Sequence, residues 1–220
     1  MPNNPHPSGT HDLLRLFLGR AAADAVARGD LQRGQSLDVT AAIMLLDLRG
    51  STPLIQSMEI SAYIRLLNDI FDHIAPHITD RGGEILQFTG DGLLAVFRET
   101  DDACRQKIVC PVAVMSAFRA STLADAALRQ NTNGAKVGFG LSYGVVAYGN
   151  VGAESRQSFT VISSEVSRAD RLQRLCPIEG HNIALSDTFA NALPPGTARS
   201  IGSHSLKGFE TETEVFVPAQ

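Results

Sequence analysis

The sequence has few cysteines, no surplus of basic residues and no long apolar run. Its three cysteines, Cys104, Cys110 and Cys176, form neither a CxxC pair nor a metal-ligand spacing, so we expect reduced thiols with structural roles. The 23 acidic residues outnumber the 19 lysines and arginines, giving a formal net charge of −4. Because binding to nucleic acid needs a basic face, this balance argues against nucleic acid as a partner.

No segment reaches the length of a membrane-spanning helix, and the first residues lack the basic and apolar stretches of a secretion signal. We therefore expect a cytoplasmic protein without a membrane partner. With 44% hydrophobic and 19% charged residues, the 220-residue chain has the composition of a globular protein. One large domain is the default expectation for this length.

The N-terminal region, residues 1–37, is expected to precede a main domain at residues 38–220. Its first ten residues are rich in Pro, Asn and Ser, which predicts a disordered lead. Apolar residues then recur at helical spacing from Leu13 to Ala25, and Gly29 follows, which predicts one amphipathic helix. Its packing partner could be the main domain or a second subunit.

Two aspartates stand at the ends of apolar strand segments. Asp47 follows a run of apolar residues, and Asp91 lies at the tip of a predicted hairpin, GGEILQFTGDGLLAVF. A carboxylate at the end of a buried strand is costly to bury alone and usually lies beside a cation, donors or water. Two of them on adjacent strands would clamp divalent cations and a triphosphate. The alternative is that each is an ordinary cap or turn residue.

Strands and helices alternate along the rest of the chain. A long helix is predicted from Ile60 to Ile78, and Pro76 is expected to kink or end it. The other predicted elements are strands over 39–46, 136–150 and 158–162 and helices over 101–130 and 165–176. Glycines in the strand over 136–150 indicate close approach by a ligand or another backbone. Since the Gly-Asp-Gly hairpin needs an antiparallel pair, the prediction is an α+β fold with a mixed sheet.

Five segments, in order, resemble the class III nucleotidyl cyclase catalytic domain, in particular its bacterial adenylate cyclase branch. They are LLDLRGST, GGEILQFTGDGLLAVF, GFGLSYGVVAYGNVG, FTVISSEVSRADRL and HSLKGF, and the resemblance runs from about residue 38 to the end. It implies a palm-like, ferredoxin-like α+β domain with a mixed, antiparallel-rich sheet flanked by helices. It also implies a head-to-tail homodimer that binds nucleotide at the subunit interface.

The resemblance implies a two-metal mechanism. Asp47 and Asp91 match the family's metal-binding aspartates, and the carbonyl of Leu48 would assist them. Two Mg²⁺ or Mn²⁺ ions would bridge the triphosphate of ATP, one activating the ribose 3′-hydroxyl and the other neutralising the leaving pyrophosphate. The implied products are 3′,5′-cyclic AMP and pyrophosphate.

The other subunit would supply residues that contact the base and stabilise the transition state. Thr160 matches the position that contacts adenine, Arg171 the arginine that stabilises charge at the α-phosphate, and Lys207 a lysine that binds the terminal phosphates. For Arg171 the alternative is a plain solvent-facing role, since Arg168, Arg171 and Arg174 recur every three residues.

Two positions depart from the family pattern. The lysine that selects adenine is replaced by Gln87, which keeps a hydrogen-bond donor but loses the charge, so purine selectivity should loosen. The transition-state asparagine is replaced by Ser167, whose side chain is shorter than an amide. Losing one such contact typically costs on the order of 10² to 10³ in rate, so a slow enzyme is expected.

Hypotheses of different classes follow from these residues. The first is a homodimeric, metal-dependent adenylate cyclase in which Gln87 and Thr160 contact the base and Arg171 supports the transition state. The alternative is a catalytically impaired module that binds nucleotide and acts as a regulatory or dimerisation partner. A third is a heterodimer in which this chain supplies the metal half-site alone. The sequence leaves the choice between ATP and GTP open.

Overall fold

The computed structural model describes residues 9–29, 34–99, 112–131 and 136–219, and a mixed sheet of eight strands forms its centre. The strand order is β2-β3-β1-β4-β6-β8-β7, with β5 paired to β4. Within these ranges β4 and β6 pair in parallel and the other neighbours pair antiparallel. The strands are β1 Ser36–Leu48, β2 Glu84–Phe88, β3 Gly92–Arg98, β4 Val137–Ala153, β5 Arg156–Ile162, β6 Ile183–Ser186, β7 Ala198–His204 and β8 Thr213–Pro218.

Helices cover both faces of the sheet, as the predicted α+β class requires. The side chains of Ala42, Met44 and Leu46 on β1 pack into the same apolar cluster as buried residues of α4 and α5. Ala41 and Ile43 point the other way, into a second cluster that contains Ala169 of α6. The helices are α1 Thr10–Leu18, α2 Arg20–Arg28, α3 Ser51–Ser57, α4 Ile60–Thr79, α5 Val112–Asn131, α6 Ser164–Leu175 and α7 Asp187–Asn191.

The prediction of one N-terminal amphipathic helix is wrong, because α1 and α2 are separate helices. Gly19 between them has φ 80° and ψ 168°, a conformation that only glycine adopts readily. A Cβ at this position would lie 3.2 Å from the carbonyl oxygen of Ile85, so the break lets the chain pass close to β2. Most of the predicted disordered lead lies outside the described residues, and α1 already begins at Thr10.

The long helix was predicted well, although Pro76 does not end it. Helix α4 runs to Thr79, so Pro76 lies in its last turn, where its ring costs one backbone hydrogen bond. The predicted helix over 101–130 is present as α5, and its first part lies outside the described residues. None of the helices in the described ranges is both long and apolar enough to cross a membrane.

Candidate active site

Strand pairing brings Asp47 and Asp91 together, as predicted. Asp47 lies opposite Gly92 in the antiparallel pair of β1 and β3, so its neighbour across the sheet is the residue after Asp91. The amide of Leu48 donates to the carbonyl of Asp91 at 3.3 Å. Gly90, with φ 76°, makes the turn that places Asp91 at the hairpin tip. Two local features, a strand end and a tight turn, therefore create the carboxylate pair.

The carboxylate pair is electrostatically unfavourable without a cation. Burial raises the pKa of Asp47, and the negative charge of Asp91 and a hydrogen bond between the two carboxyl groups raise it further. The charge of Arg174 opposes this shift. Both aspartates are half-buried at the end of the sheet. Two carboxylates held this close need a positive partner when both are ionised.

The carboxylate oxygens of Asp47 and Asp91 fit Mg²⁺ or Mn²⁺, provided that other groups supply the remaining ligands. Both ions prefer oxygen, and Mg²⁺ commonly binds one or two carboxylates together with waters and substrate phosphates. No group of three or more His, Cys, Asp or Glu side chains that could hold a metal occurs in the described part of the chain. Backbone carbonyls, water and nucleotide phosphates would complete the coordination shell. Among the described residues, the two carboxylates are therefore too few to coordinate such an ion without further ligands.

Tyr63 lies beside this pair and shares a hydrogen bond with Ser51, and neither residue was predicted from the sequence. Tyr63 on α4 is buried. Burial raises the pKa of its hydroxyl, and the negative charges of Asp91 and Asp47 raise it further. A hydrogen bond with the Ser51 side chain opposes the rise. Tyr63 lies at a core-facing position of an amphipathic helix, so the sequence pattern showed an apolar contact and hid the polar one.

Arg49 fixes the loop that follows Asp47. Its Nη2 donates to the carbonyl of His181, and its backbone amide donates to the carbonyl of Lys136 at 2.8 Å. The guanidinium also contacts the Cys176 thiol, and burial lowers the pKa of Arg49. Burial raises the pKa of Cys176 to about 12, which suits the structural role predicted for this cysteine. No sequence signal could have paired Arg49 with residues this distant in the chain.

The glycines of β4 allow α6 to lie directly on the sheet. A Cβ at Gly140 would overlap the carbonyl oxygen of Ala169 and lie 2.7 Å from the amide of Gln173. A Cβ at Gly138 would lie 2.9 Å from the carbonyl oxygen of Gln173. The prediction that these glycines permit close backbone approach is confirmed. Gly138 pairs with Asp47, so α6 is held next to the strand that carries this aspartate.

The arginines of α6 are hydrogen-bonded to other residues of the same chain. The Nε of Arg171 donates to the carbonyl of Lys207 at 3.0 Å, and its Nη1 donates to Asp170. The Nε of Arg174 donates to the other oxygen of Asp170 at 3.0 Å. Arg168 is different, since it bonds Thr213 at 3.0 Å and forms an ion pair with a glutamate one turn earlier. The plain solvent-facing role considered for this row of arginines therefore does not apply to Arg168.

Comparison with known sequences decides the kind of domain. The profile of the adenylate and guanylate cyclase catalytic domain matches residues 35–218. The chain belongs to this family. It is a class III nucleotidyl cyclase domain, and the resemblance noted in the sequence is confirmed.

Solved cyclase structures share the fold of this cyclase domain. A bacterial light-regulated adenylyl cyclase matches with TM-score 0.80 and 22% identity over 95% of this chain and 59% of that chain. The adenylyl cyclase CyaB from P. aeruginosa matches with TM-score 0.72 and 22% identity over 84% and 96%. The guanylate cyclase domain of RhGC from Catenaria anguillulae matches with TM-score 0.69 and 13% identity over 84% and 100%. Because ATP and GTP cyclases both match, the fold does not choose the base.

Uncharacterized mycobacterial proteins are similar to this chain over most of its length. One from Mycobacterium tuberculosis and one from Mycobacterium bovis are each 32% identical to this chain over 210 residues. The alignments cover 94% of this chain and 38% of each relative. The cyclase domain thus spans little more than a third of the length of the curated relatives that it matches.

The remaining predicted residues of the cyclase domain lie apart from the carboxylate pair within one chain. Gln87 is exposed on β2, Thr160 is half-buried on β5 opposite Gly149, and Ser167 is exposed on α6. Lys207 is exposed in the turn before β8. Among the described residues, no hydrogen bond or ion pair joins these four to Asp47 or Asp91. Three of the four, Gln87, Ser167 and Lys207, are exposed at the surface of the chain.

One hydrogen bond ties together the strands that carry Gln87 and Thr160. The hydroxyl of Tyr148 on β4 donates to Glu84 on β2 at 2.6 Å. The Tyr148 ring also packs edge-to-face against Phe159, the residue before Thr160, with ring centroids 4.7 Å apart. Tyr148 therefore fixes the position of the β4–β5 arm relative to β2, the two places where the family pattern puts its base contacts.

Proposed function

We propose that this chain is a nucleotidyl cyclase that converts ATP to 3′,5′-cyclic AMP and pyrophosphate at the interface of a homodimer. The observation that carries the proposal is the convergence of Asp47 and Asp91 at the end of the sheet. In a cyclase domain, such a pair of partly desolvated carboxylates would bind the metal ions of a metal-bound triphosphate. Leu48, whose amide already bonds Asp91, would offer its carbonyl as a further ligand.

The chain's own residues would bind and orient the nucleotide. Bound by Asp47, Asp91 and the carbonyl of Leu48, two Mg²⁺ or Mn²⁺ ions would activate the ribose 3′-hydroxyl and neutralise the leaving pyrophosphate. From the partner subunit, Arg171 would stabilise charge at the α-phosphate, and Lys207 would bind the terminal phosphates. The hydrogen bond from Arg171 to the Lys207 carbonyl supports this assignment, since it holds the two cationic residues in one unit.

Base selection would rest on Gln87 and Thr160. Both can donate and accept hydrogen bonds, and neither carries a charge, so we expect ATP to be preferred over GTP by a small factor only. Ser167 stands in the place of the transition-state asparagine and reaches less far, so we expect slow turnover. The experiment that tests base choice compares kcat/KM for ATP and GTP in the wild type and in Gln87→Lys, which should favour ATP more strongly.

The decisive assay measures cyclic nucleotide formed from ATP and Mn²⁺ by the purified chain. We expect Asp47→Asn and Asp91→Asn each to lower kcat/KM by on the order of 10² or more, because each removes a ligand of the metal–triphosphate complex. Asp80→Asn, at an exposed residue just after α4, is the matched control and should behave as the wild type. Turnover that survives both site variants would contradict the proposal.

A second candidate function is a regulatory cyclase module that binds nucleotide without turnover. It is favoured by two specific positions, Gln87 and Ser167, where the family pattern has a lysine and an asparagine. Calorimetry with Mn²⁺ and α,β-methylene ATP distinguishes the two functions. Binding by the wild type together with an absence of cyclic nucleotide would replace the enzyme with the module.

A further inference from the structure

Asp47 and α6 of the same chain lie on one face of the sheet. Along β1 the side chains of Ala41 and Ile43 point to the cluster that contains Ala169 of α6, and Asp47 continues the same alternation. The strand opposite carries Gly138 next to Asp47, and the backbone of Gln173 rests on this glycine. The last turn of α6 is therefore held beside the carboxylate pair of its own subunit.

Arg174 occupies this last turn and is fixed there by Asp170. Its Nε donates to Asp170 Oδ1, and the other carboxylate oxygen accepts from Arg171. The carboxylate of Asp170 thus orients two guanidinium groups, and the three side chains together keep a net positive charge. The side chain of Arg174 is 67% exposed, so its two Nη groups are accessible to a ligand.

Electrostatic reach supports this placement. Arg174 and Asp170 lie close enough to Asp47 for their charges to interact with its carboxylate. Both charges therefore act on the carboxylate pair from within the same chain. An arginine near two carboxylates disfavours a bare cation there and favours an anion bound next to them.

We propose that Arg174 binds phosphate oxygens of the nucleotide held by Asp47 and Asp91 of its own subunit, with Asp170 as its positioning residue. The inference rests on the proposed function, since it takes a metal-bound triphosphate as the ligand of the carboxylate pair. The planar guanidinium suits this task, because Nε is occupied by Asp170 and both Nη groups can donate to phosphate. Helix α6 would then serve two sites, with Arg171 acting on the partner's nucleotide and Arg174 on that of its own chain.

A purely structural role for Arg174 makes a different prediction. An exposed ion pair such as Arg174–Asp170 contributes little to stability, so its loss would leave ligand binding nearly unchanged. If the pair instead held α6 in place, its loss would weaken binding of the metal and of the nucleotide together. If Arg174 binds phosphate, its loss changes the two affinities in opposite directions. Removing the positive charge of its side chain strengthens binding of Mn²⁺ and weakens binding of the triphosphate.

The first experiment measures two affinities by calorimetry, for Mn²⁺ alone and for α,β-methylene ATP at saturating Mn²⁺. In Arg174→Ala we expect triphosphate affinity to fall about tenfold while Mn²⁺ affinity stays equal or rises about twofold. Arg174→Lys should recover part of the loss, since it restores the charge without the fork. Arg119→Ala, at an exposed arginine on α5, is the matched control and should change neither affinity.

The outcomes separate this inference from the proposed function. Unchanged triphosphate affinity in Arg174→Ala, or equal weakening of both affinities, would overturn the role of Arg174 while leaving the cyclase proposal intact. A wild-type chain that binds neither Mn²⁺ nor the analogue would overturn the proposed function, and the role of Arg174 with it.

The second experiment tests whether Arg174 serves its own subunit. Arg174→Ala chains are mixed with a roughly tenfold excess of Asp47→Asn chains. Most Arg174→Ala chains then pair with an Asp47→Asn partner. The active site that remains takes its aspartates from the Arg174→Ala chain and its partner residues from the other. If Arg174 acts in its own subunit, the mixture keeps the raised KM of Arg174→Ala. A return to the wild-type KM would place Arg174 in the partner's site and overturn the proposal.

Discussion

Asp47 shows at the scale of one residue how partial burial of a carboxylate beside another lowers stability. Its folded-state pKa is raised, chiefly by burial, so the folded chain binds more protons than the unfolded chain between the two pKa values. Stability therefore falls as pH rises through this interval, from near the ordinary value of about 3.9 up to the raised pKa of the folded chain.

We expect Asp47→Asn to melt higher than the wild type at pH 7 without metal, by roughly 1–3 °C. The neutral amide removes the ionisation penalty and can donate to Asp91. Thermal melts in EDTA check this, and the difference should shrink as pH falls towards 4. Added Mn²⁺ should raise the melting temperature of the wild type and leave that of Asp47→Asn nearly unchanged. A variant that melts lower than the wild type at pH 7 would contradict the cause given for the raised pKa.

Ser167 stands at the position where the family pattern has its transition-state asparagine. We expect Ser167→Asn to raise kcat by about tenfold or more, because an amide at this exposed position on α6 reaches further towards the ribose and phosphate. Initial rates of cyclic AMP formation at saturating ATP measure the effect. Ser164→Asn, at an exposed position one turn earlier, is the control. Equal kcat values for all three proteins would show that the asparagine contact is not what limits turnover.

At the same scale, the sequence predicted those site residues that depend on local structure. Asp47 and Asp91 follow from a strand end and a Gly-Asp-Gly turn, both of which are encoded within a few residues. Arg49 and Tyr63 were missed because their partners are set by tertiary packing. His181, which accepts from Arg49, lies 132 positions away, and nothing in either segment signals the pair.

At the scale of elements, the contact between α6 and β4 positions the arginines. Gly140→Ala would place a Cβ against the backbone of Ala169 and Gln173, which cannot rotate away as a side chain can. We expect a loss of about 1–3 kcal/mol in the free energy of unfolding, together with reduced turnover, because α6 must shift. Urea denaturation and the cyclase assay measure the two effects.

Gly144→Ala on the same strand is the matched control for Gly140→Ala. Its Cβ would meet the Cγ of Glu165 at 3.0 Å, and this side chain can adjust by small rotations. The loss of stability should therefore be clearly smaller. Similar losses at both positions would mean that the loss of glycine from β4, and not the contact with α6, determines the effect.

Element boundaries show where local pattern stops being informative. The two limbs of the hairpin, β2 and β3, matched prediction because alternation and turn residues define them locally. The break at Gly19 was missed because a single glycine inside a helical pattern is usually tolerated, and here its close approach to β2 decides the conformation. Pro76 failed to end α4 because it lies only one turn from the end, where the cost of a lost hydrogen bond is small.

At the scale of the whole molecule, the placement of the residues predicts an enzyme that works only as a pair of chains. Within one chain Arg171 donates to Asp170 and to the Lys207 carbonyl, and among the described residues it forms no hydrogen bond or ion pair with Asp47 or Asp91. In a head-to-tail dimer each site would take its aspartates from one subunit and Arg171 from the other. Either variant alone, Asp47→Asn or Arg171→Ala, then disables both sites of its homodimer.

A mixture of these two inactive variants should regain activity. At equal concentrations half of the dimers are mixed, and each mixed dimer has one site in which both halves are intact, so we expect roughly a quarter of wild-type activity. The recovery should fall on dilution as the dimers dissociate. Mixing Asp47→Asn with Asp91→Asn is the control, because both variants damage the same half and no intact site can form. If the mixture of Asp47→Asn and Arg171→Ala stays as inactive as this control, the site is not shared between subunits in this way.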